Sequence, residues 1–407
     1  MSFNPEKIRS DFPILSRTVH GKPLVYLDNA ATSQKPAAVI DRSAALLCEL
    51  NANIHRGVHF MAEESTVLYE AARETVRDFI NARSACEVVF TSGATAGINA
   101  VAYSFAEYAI RRGDNVVVSE MEHHSNIVPW QLLCERKGAQ LRVLPFNDDG
   151  ELETEKLGGL IDAHTRMVAV TQMSNVLGTR PDLSRIIHDA HAAGVPVLVD
   201  GCQGVVHGGM DVQALDADFY LFSGHKLYGP TGTGVLYGKE KWLEKLPPFM
   251  GGGEMVKTVS FAGTTYADLP LKFEAGTANY IGAIGLAEAI RYLQELNTEE
   301  VSEHEETLRH HATERLRNLP GVRIYGTSPA KGPLVSFIAE GAHHYDIGMI
   351  LDKLGIAVRT GTHCAEPVMR HYGVEGMCRA SFALYNTLQE VDIFISGVEK
   401  ALGMLRK

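Results

Sequence analysis

The stretch DFYLFSGHKLYGPTGTGVLYG (Asp218–Gly238) decides how the rest of the chain is read. An apolar run, Phe219 to Phe222, ends in Ser223, Gly224, His225 and Lys226; a glycine-rich turn follows and then a second apolar run. Lysine is among the residues least often buried without a partner. A lysine at the end of a buried strand either points back to water or is covalently occupied.

Similar short β-branched runs lie on both sides of this stretch, separated by helical segments. They begin at Glu87 (EVVFTSG), Asp114 (DNVVVSEME), Gln140 (QLRVLPFN), Arg166 (RMVAVTQMSN), Val195 (VPVLVDGCQ), Phe219 and Gly232. Continuous apolar strands alternating with helices predict an α/β fold, with a mostly parallel seven-stranded sheet covered on both faces. Such sheets bind ligands beyond the carboxyl ends of their strands. Polar clusters fall at five of those ends: Thr91-Ser92-Gly93, Glu122-His123-His124, Asn175, Asp200 with Gln203, and Ser223 to Lys226.

After about residue 285 the pattern changes to two long amphipathic helices and the strand-like runs VRIYG, LVSFIAE, GIAVRTG and CRASFALYN. This predicts a large domain over 23–285 and a smaller α+β domain from 1–22 and 286–407. Asn4-Pro5-Glu6 reads as a helix start. The 407 residues are 45% hydrophobic and 21% charged, as in soluble globular proteins. A net charge of −11 argues against non-specific binding to nucleic acid or an anionic membrane. No apolar run is long enough for a membrane span. The spacing of Cys48, Cys86, Cys134, Cys202, Cys364 and Cys378 is neither a disulfide framework nor a zinc ribbon. Five of them read as buried thiols, and a reducing, cytoplasmic address is expected.

Phosphate-loop and dinucleotide fingerprints are missing. TSGATAGINAVAY (Thr91–Tyr103) instead runs from a strand straight into a helix, whose N-terminus offers free N–H groups to an anion; a plain N-cap is the alternative. His55 and His59 are spaced i, i+4 but lack a third ligand, so no metal site is assigned. For Lys226, a Schiff base would remove the problem of a buried charge. Pyridoxal phosphate would also need an acid at its ring nitrogen. Asp200, ending a strand, is placed for that, with a helix cap or a metal ligand as its other readings.

VDGCQGVVH (Val199–His207) followed by the opening stretch resembles the cofactor core of class V aminotransferases, which are fold-type I pyridoxal-phosphate transferases. The resemblance implies that Lys226 forms the Schiff base, that Asp200 partners the pyridine nitrogen and that Gln203 donates to the phenolic oxygen. It implies phosphate ligands at Thr95, Ser223 and His225, with Thr277 in FEAGTAN sent across a homodimer interface. His123 stacks on the ring and moves protons, and Asn175 lies near the cofactor oxygen and the substrate carboxylate.

RTGTHCA (Arg359–Ala365) with MCRASFALYNT (Met377–Thr387) narrows the resemblance to group II cysteine desulfurases, the SufS/CsdA type. Cys364 could be an inert thiol, a structural residue or a nucleophile; a thiolate would be favoured by Arg359 or a protonated His363. The resemblance makes it the persulfide carrier in converting L-cysteine to L-alanine, with Arg379 gripping the substrate carboxylate and Arg359 beside it. It implies sulfur delivery to an acceptor of the SufE or SufU type for iron–sulfur assembly, and selenocysteine lyase activity on L-selenocysteine. A transaminase or kynureninase-like hydrolase is the alternative within the fold; a non-catalytic carrier or an anion-binding protein is the alternative outside it. Ser92, Ala96, Met250, Ala278 and Thr362 depart from the family pattern; the first three point to a remodelled dimer or docking surface.

Overall fold

The structure, a computed structural model, describes residues 3–406. Met1 and Ser2, within the expected 1–22 segment, and Lys407 lie outside the described residues. The seven predicted runs form one sheet: β1 (Val88–Thr91), β2 (Asn115–Ser119), β3 (Gln140–Leu144), β4 (Thr165–Thr171), β5 (Val197–Asp200), β6 (Phe219–Ser223) and β7 (Gly234–Gly238). Their order is β1-β7-β6-β5-β4-β2-β3, and only β7 runs antiparallel to its neighbours.

The strands read as continuous apolar runs because alternate residues enter two different cores. Phe219 and Leu221 pack into one, with Val116, Val118, Leu198 and Trp130. Tyr220 and Phe222 pack into the other, with Val117, Val168, Val199 and Leu286. Both faces are thus covered, and the hydrophobic sequence leaves no solvent side. The edge strand β3 is the exception, with Gln140 and Val143 exposed.

The helices that matter to the site are α1 (Phe60–Phe79), α2 (Ala94–Ala109), α3 (Tyr280–Gln294), α4 (Thr298–Arg317), α5 (Glu366–Tyr372) and α6 (Leu388–Leu405). Position 285 falls inside α3, and Leu286 and Ile290 pack into the core of the large sheet. A second, antiparallel sheet of β8 (Val322–Tyr325), β9 (Leu334–Ala339), β10 (Arg359–Gly361) and β11 (Met377–Ser381) has the order β8-β9-β11-β10. Its apolar face packs with Leu308 and Leu316 of α4 and Phe394 and Val398 of α6.

GIAVRTG is not a single strand. Ile356–Ala357 pairs in parallel with Val25–Tyr26, and only Arg359–Gly361 joins the second sheet. The run changes partners at Val358, a step that apolar patterning cannot show. At the N-terminus, Asn4 caps the helix Pro5–Arg9 by accepting from the Glu6 and Lys7 N–H groups at 3.0 and 3.2 Å. Beyond it Phe12 packs against Tyr228 and Tyr385, which joins this segment to both parts of the chain.

One buried ion pair fastens α1 to the edge of the large sheet. Arg73, only 1% exposed, donates to the Glu274 carboxylate at 2.6 and 3.0 Å and to the Val88 carbonyl at 2.9 Å. Glu274 also accepts from the Phe90 N–H at 2.7 Å and the Tyr69 hydroxyl at 2.8 Å. Removing one member of a satisfied buried pair strands the other, at a cost of about 3–5 kcal/mol. Arg73→Leu should therefore lose that much stability, read as a lower urea midpoint in circular dichroism; an unchanged midpoint would refute the account.

Candidate active site

The carboxyl ends of the parallel strands open into a cavity of about 200 Å³. Thr95, His123, Asn175, Asp200, Ser223, His225, Lys226, Arg359, Cys364 and Arg379 all line it, so ten of the expected site residues meet in one place. Gln203 does not line it; its Nε2 donates to the Ala30 carbonyl at 2.7 Å, next to the wall formed by Ala30 and Ala31. Thr277 lies elsewhere, in a cavity of about 270 Å³ shared with Ser92, Ala96, Met250 and Ala278. Four of the five departures from the family pattern thus meet around that one threonine.

One end of the active cavity is built for an anion. Helix α2 has Gly93 at its N-cap and no side-chain cap of its own. The Ala94 N–H donates to Ser223 Oγ at 2.9 Å, while those of Thr95 and Ala96 find no acceptor among the described residues. Free N–H groups at the positive end of a helix attract phosphate. Thr95 Oγ1 and Ser125 Oγ are hydrogen-bonded at 2.7 Å beside them. The glycines of the opening stretch make this corner possible: Gly232 turns with φ of 73°, and a Cβ on Gly234 would lie 2.5 Å from Gly93 Cα.

At the other end, Asp200 is 4% exposed and accepts from the Cys202 N–H at 3.0 Å through one oxygen. Lys226 is half-buried on the turn after β6, with no hydrogen bond or ion pair among the described residues. His123 accepts the Ser125 N–H at Nδ1, 3.1 Å, which leaves the proton of its neutral ring on Nε2. An acidic residue, a free amine and an anion corner are together the donor set that pyridoxal phosphate requires, so the residues present fit that cofactor.

The second sheet supplies the facing wall. Arg379 of β11 donates to the Asn175 carbonyl at 2.7 Å and to Asp28 at 3.1 Å, and its Nε has no partner among the described residues. A buried guanidinium with N–H groups to spare suits a carboxylate ligand. Cys364 sits on the loop between β10 and α5, where His363 and Cys364 both have positive φ, 54° and 56°. The loop is tied down by Asn175 Nδ2 donating to the His363 carbonyl and the His124 N–H to the Cys364 carbonyl, each at 2.7 Å. His124 Nε2 also accepts the Glu366 N–H at 3.1 Å.

The expectation that a protonated His363 supports the thiolate is corrected. His363 is 5% exposed, and burial together with Arg379 holds its pKa down at about 2. Arg359, half exposed, is the cation left at the cavity mouth. Cys48 is exposed and Cys86 half-buried, against the expectation of five buried thiols. His55 pairs with Glu70 at 3.0 Å and His59 caps α1, both outside the cavity. Asp28 and Ser125 were not singled out, and His124 was named only within the polar cluster Glu122-His123-His124. Ser125 and His124 sit in the polar run after β2, a signal the sequence did carry; Asp28 gave none, since its partner is distant in the chain.

These findings define the class: the chain belongs to the aminotransferase class-V family, whose pattern it matches over residues 25–394. Among curated relatives it is 52% identical, over 98% of both chains, to a cysteine desulfurase of Enterobacter sp. (strain 638). It is 50% identical, over 100% of both, to one of Serratia proteamaculans (strain 568). Its structure is similar to the crystal structure of the cysteine desulfurase CsdA from Escherichia coli in its S-sulfonic acid form, with TM-score 0.93, 43% identity and 100% of each chain covered.

Burial and Lys226 lower the His123 pKa to about 4, and burial with Lys226 and Lys35 does the same for His225. Both lie below the unfolded value of 6.5, so below that pH the unfolded chain binds more protons and stability falls with pH. The loss should run from about pH 6.5 down to about 4. Urea unfolding across that window should show a shallower slope for His123→Gln; an identical slope would show that the ring is not held neutral.

Proposed function

We propose that this chain is a pyridoxal-phosphate-dependent cysteine desulfurase, which takes the sulfur of L-cysteine onto Cys364 as a persulfide and releases L-alanine. The observation that carries the reading is the meeting of Lys226, Asp200 and Cys364 in one cavity, from two different sheets. The cofactor, when bound, supplies an electron sink for the substrate Cα. The chain's own groups do the rest.

Thr95, Ser223, His225 and the α2 N-terminus would hold the phosphate, while Asp200 would keep a proton on the ring nitrogen and Gln203 would serve the phenolic oxygen. Arg379 and Asn175, with Arg359 at the mouth, orient the substrate carboxylate. The Lys226 amine takes the Cα proton and returns it before L-alanine leaves. Cys364 Sγ then attacks the substrate sulfur: the S–S bond forms as the C–S bond breaks, and that bond's electrons stay on carbon, which is protonated. His123, neutral and carrying its proton on Nε2, is the donor within the cavity.

The further reading is that two copies pair, each sending Thr277 to the other's phosphate, because Thr277 does not line its own chain's active cavity. The persulfide passes to an acceptor of the SufE or SufU type, in the cytoplasm, for iron–sulfur assembly, and L-selenocysteine is a second substrate. No described helix is long and apolar enough to cross a membrane. The part that holds the cofactor begins near residue 23. We place its end after α3, between Gln294 and Thr298, rather than at 285, with the remainder carrying the cysteine loop.

Mass spectrometry after incubation with L-cysteine tests this. One sulfur should appear on Cys364 with alanine released. Cys364→Ser should cut alanine release by at least about a hundredfold while the visible cofactor band stays; a transaminase would be little affected. Lys226→Ala should lose the band that borohydride abolishes in the wild type, and its survival would sink the assignment.

A further inference from the structure

The carbonyl oxygen of His225 collects four donors from one short segment. The Ser33 N–H reaches it at 3.2 Å, Thr32 Oγ1 at 3.1 Å, Ser33 Oγ at 3.2 Å and Lys35 Nζ at 2.8 Å. A carbonyl has two lone pairs, so this oxygen is fully engaged, and one of its donors is a cation. It belongs to the peptide unit that leads directly into Lys226. On the far side of Lys226, the Tyr228 N–H donates to Ser33 Oγ at 2.8 Å. The turn carrying the lysine is gripped before and after it.

None of Thr32, Ser33 and Lys35 lines the active cavity. Lys35 is half-buried, and among the described residues it pairs with no carboxylate; Nζ donates only to the carbonyls of Ser33 and His225. Burial pushes its pKa down to about 8. A lysine withdrawn from water onto carbonyls costs stability unless those bonds are well formed.

We propose that Lys35 is a positioning residue for Lys226: its ammonium fixes the His225 carbonyl, and with it the turn from which Lys226 Nζ must reach the substrate Cα. This rests on the function proposed above. The charge acts as well as the bond. Lys35 adds to the positive field on the His225 ring, whose pKa burial and Lys226 already lower.

Two variants of the cofactor-loaded enzyme separate the effects. Lys35→Met keeps most of the stem and removes the charge; Lys35→Arg keeps the charge. In Lys35→Met, kcat should fall about tenfold with KM changed less than about twofold, the size expected for losing a charge-assisted hydrogen bond. Lys35→Arg should recover most of kcat. Wild-type kcat in Lys35→Met would overturn the proposal, and so would a loss of kcat that Lys35→Arg does not recover. If Lys35→Met does not fold, Thr32→Val removes a neutral donor from the same oxygen. It should lower kcat with KM little changed, and wild-type kcat there would overturn the clamp. Failure of the underlying reading looks different, since wild-type protein would then show neither the visible band nor alanine.

Discussion

An arginine taken out of water must find its hydrogen bonds inside the protein, and Arg379, 2% exposed, finds them on both sides of the active cavity. It stands on β11 of the second sheet. One nitrogen donates to the Asn175 carbonyl, on the loop after β4 of the large sheet, and another to Asp28. Burial and Arg379 pull the Asp28 pKa in opposite directions, and burial prevails, so it lies above the usual carboxylate value. Asn175 extends the connection, since its side chain holds the His363 carbonyl. The substrate-facing guanidinium, the loop carrying the thiol and the large sheet are therefore one hydrogen-bonded unit. Shifting any of them breaks a bond that water cannot replace at this depth.

The chain from Asp28 to Lys35 carries that unit across the cavity. It starts at Arg379, continues through Asn29, which donates to the Ser381 carbonyl and to Asn386, and forms the wall at Ala30 and Ala31. It ends on the His225 carbonyl. One short segment, a turn at Asp28–Thr32 followed by irregular chain, thus touches both the group that grips a carboxylate and the turn that carries Lys226. Its polar side chains pair along the way, as a buried loop requires.

Much of this was legible in the sequence because it follows from local pattern. The two-core alternation of Phe219 to Phe222 reads as a continuous apolar run, and a polar residue after such a run marks a strand's end. Lys226, Asp200 and Asn175 were visible on that basis alone. The protonation of His363 was not: a histidine beside two arginines and a cysteine looks the same in sequence whether wet or dry, and burial decides its charge. Nor was the split of GIAVRTG, because both halves are short and β-branched, and only their partners differ. The helix through Gly285 was legible as an amphipathic run and is α3, whose apolar face continues past Gly285 into Leu286 and Ile290. Asp28 and Lys35 act only through residues distant in the chain, which spacing cannot reveal.

The cysteine loop shows how an unfavourable backbone is made stable. Gly361 has φ of 104°, which glycine adopts freely, but His363 and Cys364 lie in the left-handed region, which costs roughly 1–2 kcal/mol for each ordinary residue. Three hydrogen bonds from outside and within the loop offset that cost. The Asn175 side chain and the His124 N–H hold the two carbonyls at 2.7 Å, and the Ala365 N–H closes onto the Thr362 carbonyl at 3.0 Å. Two of the three come from loops of the large sheet. The conformation that places the Cys364 thiol on the cavity wall is thus favourable only while the second sheet stays docked on the first. The position of the thiol is a property of the joined structure and not of the loop's own sequence.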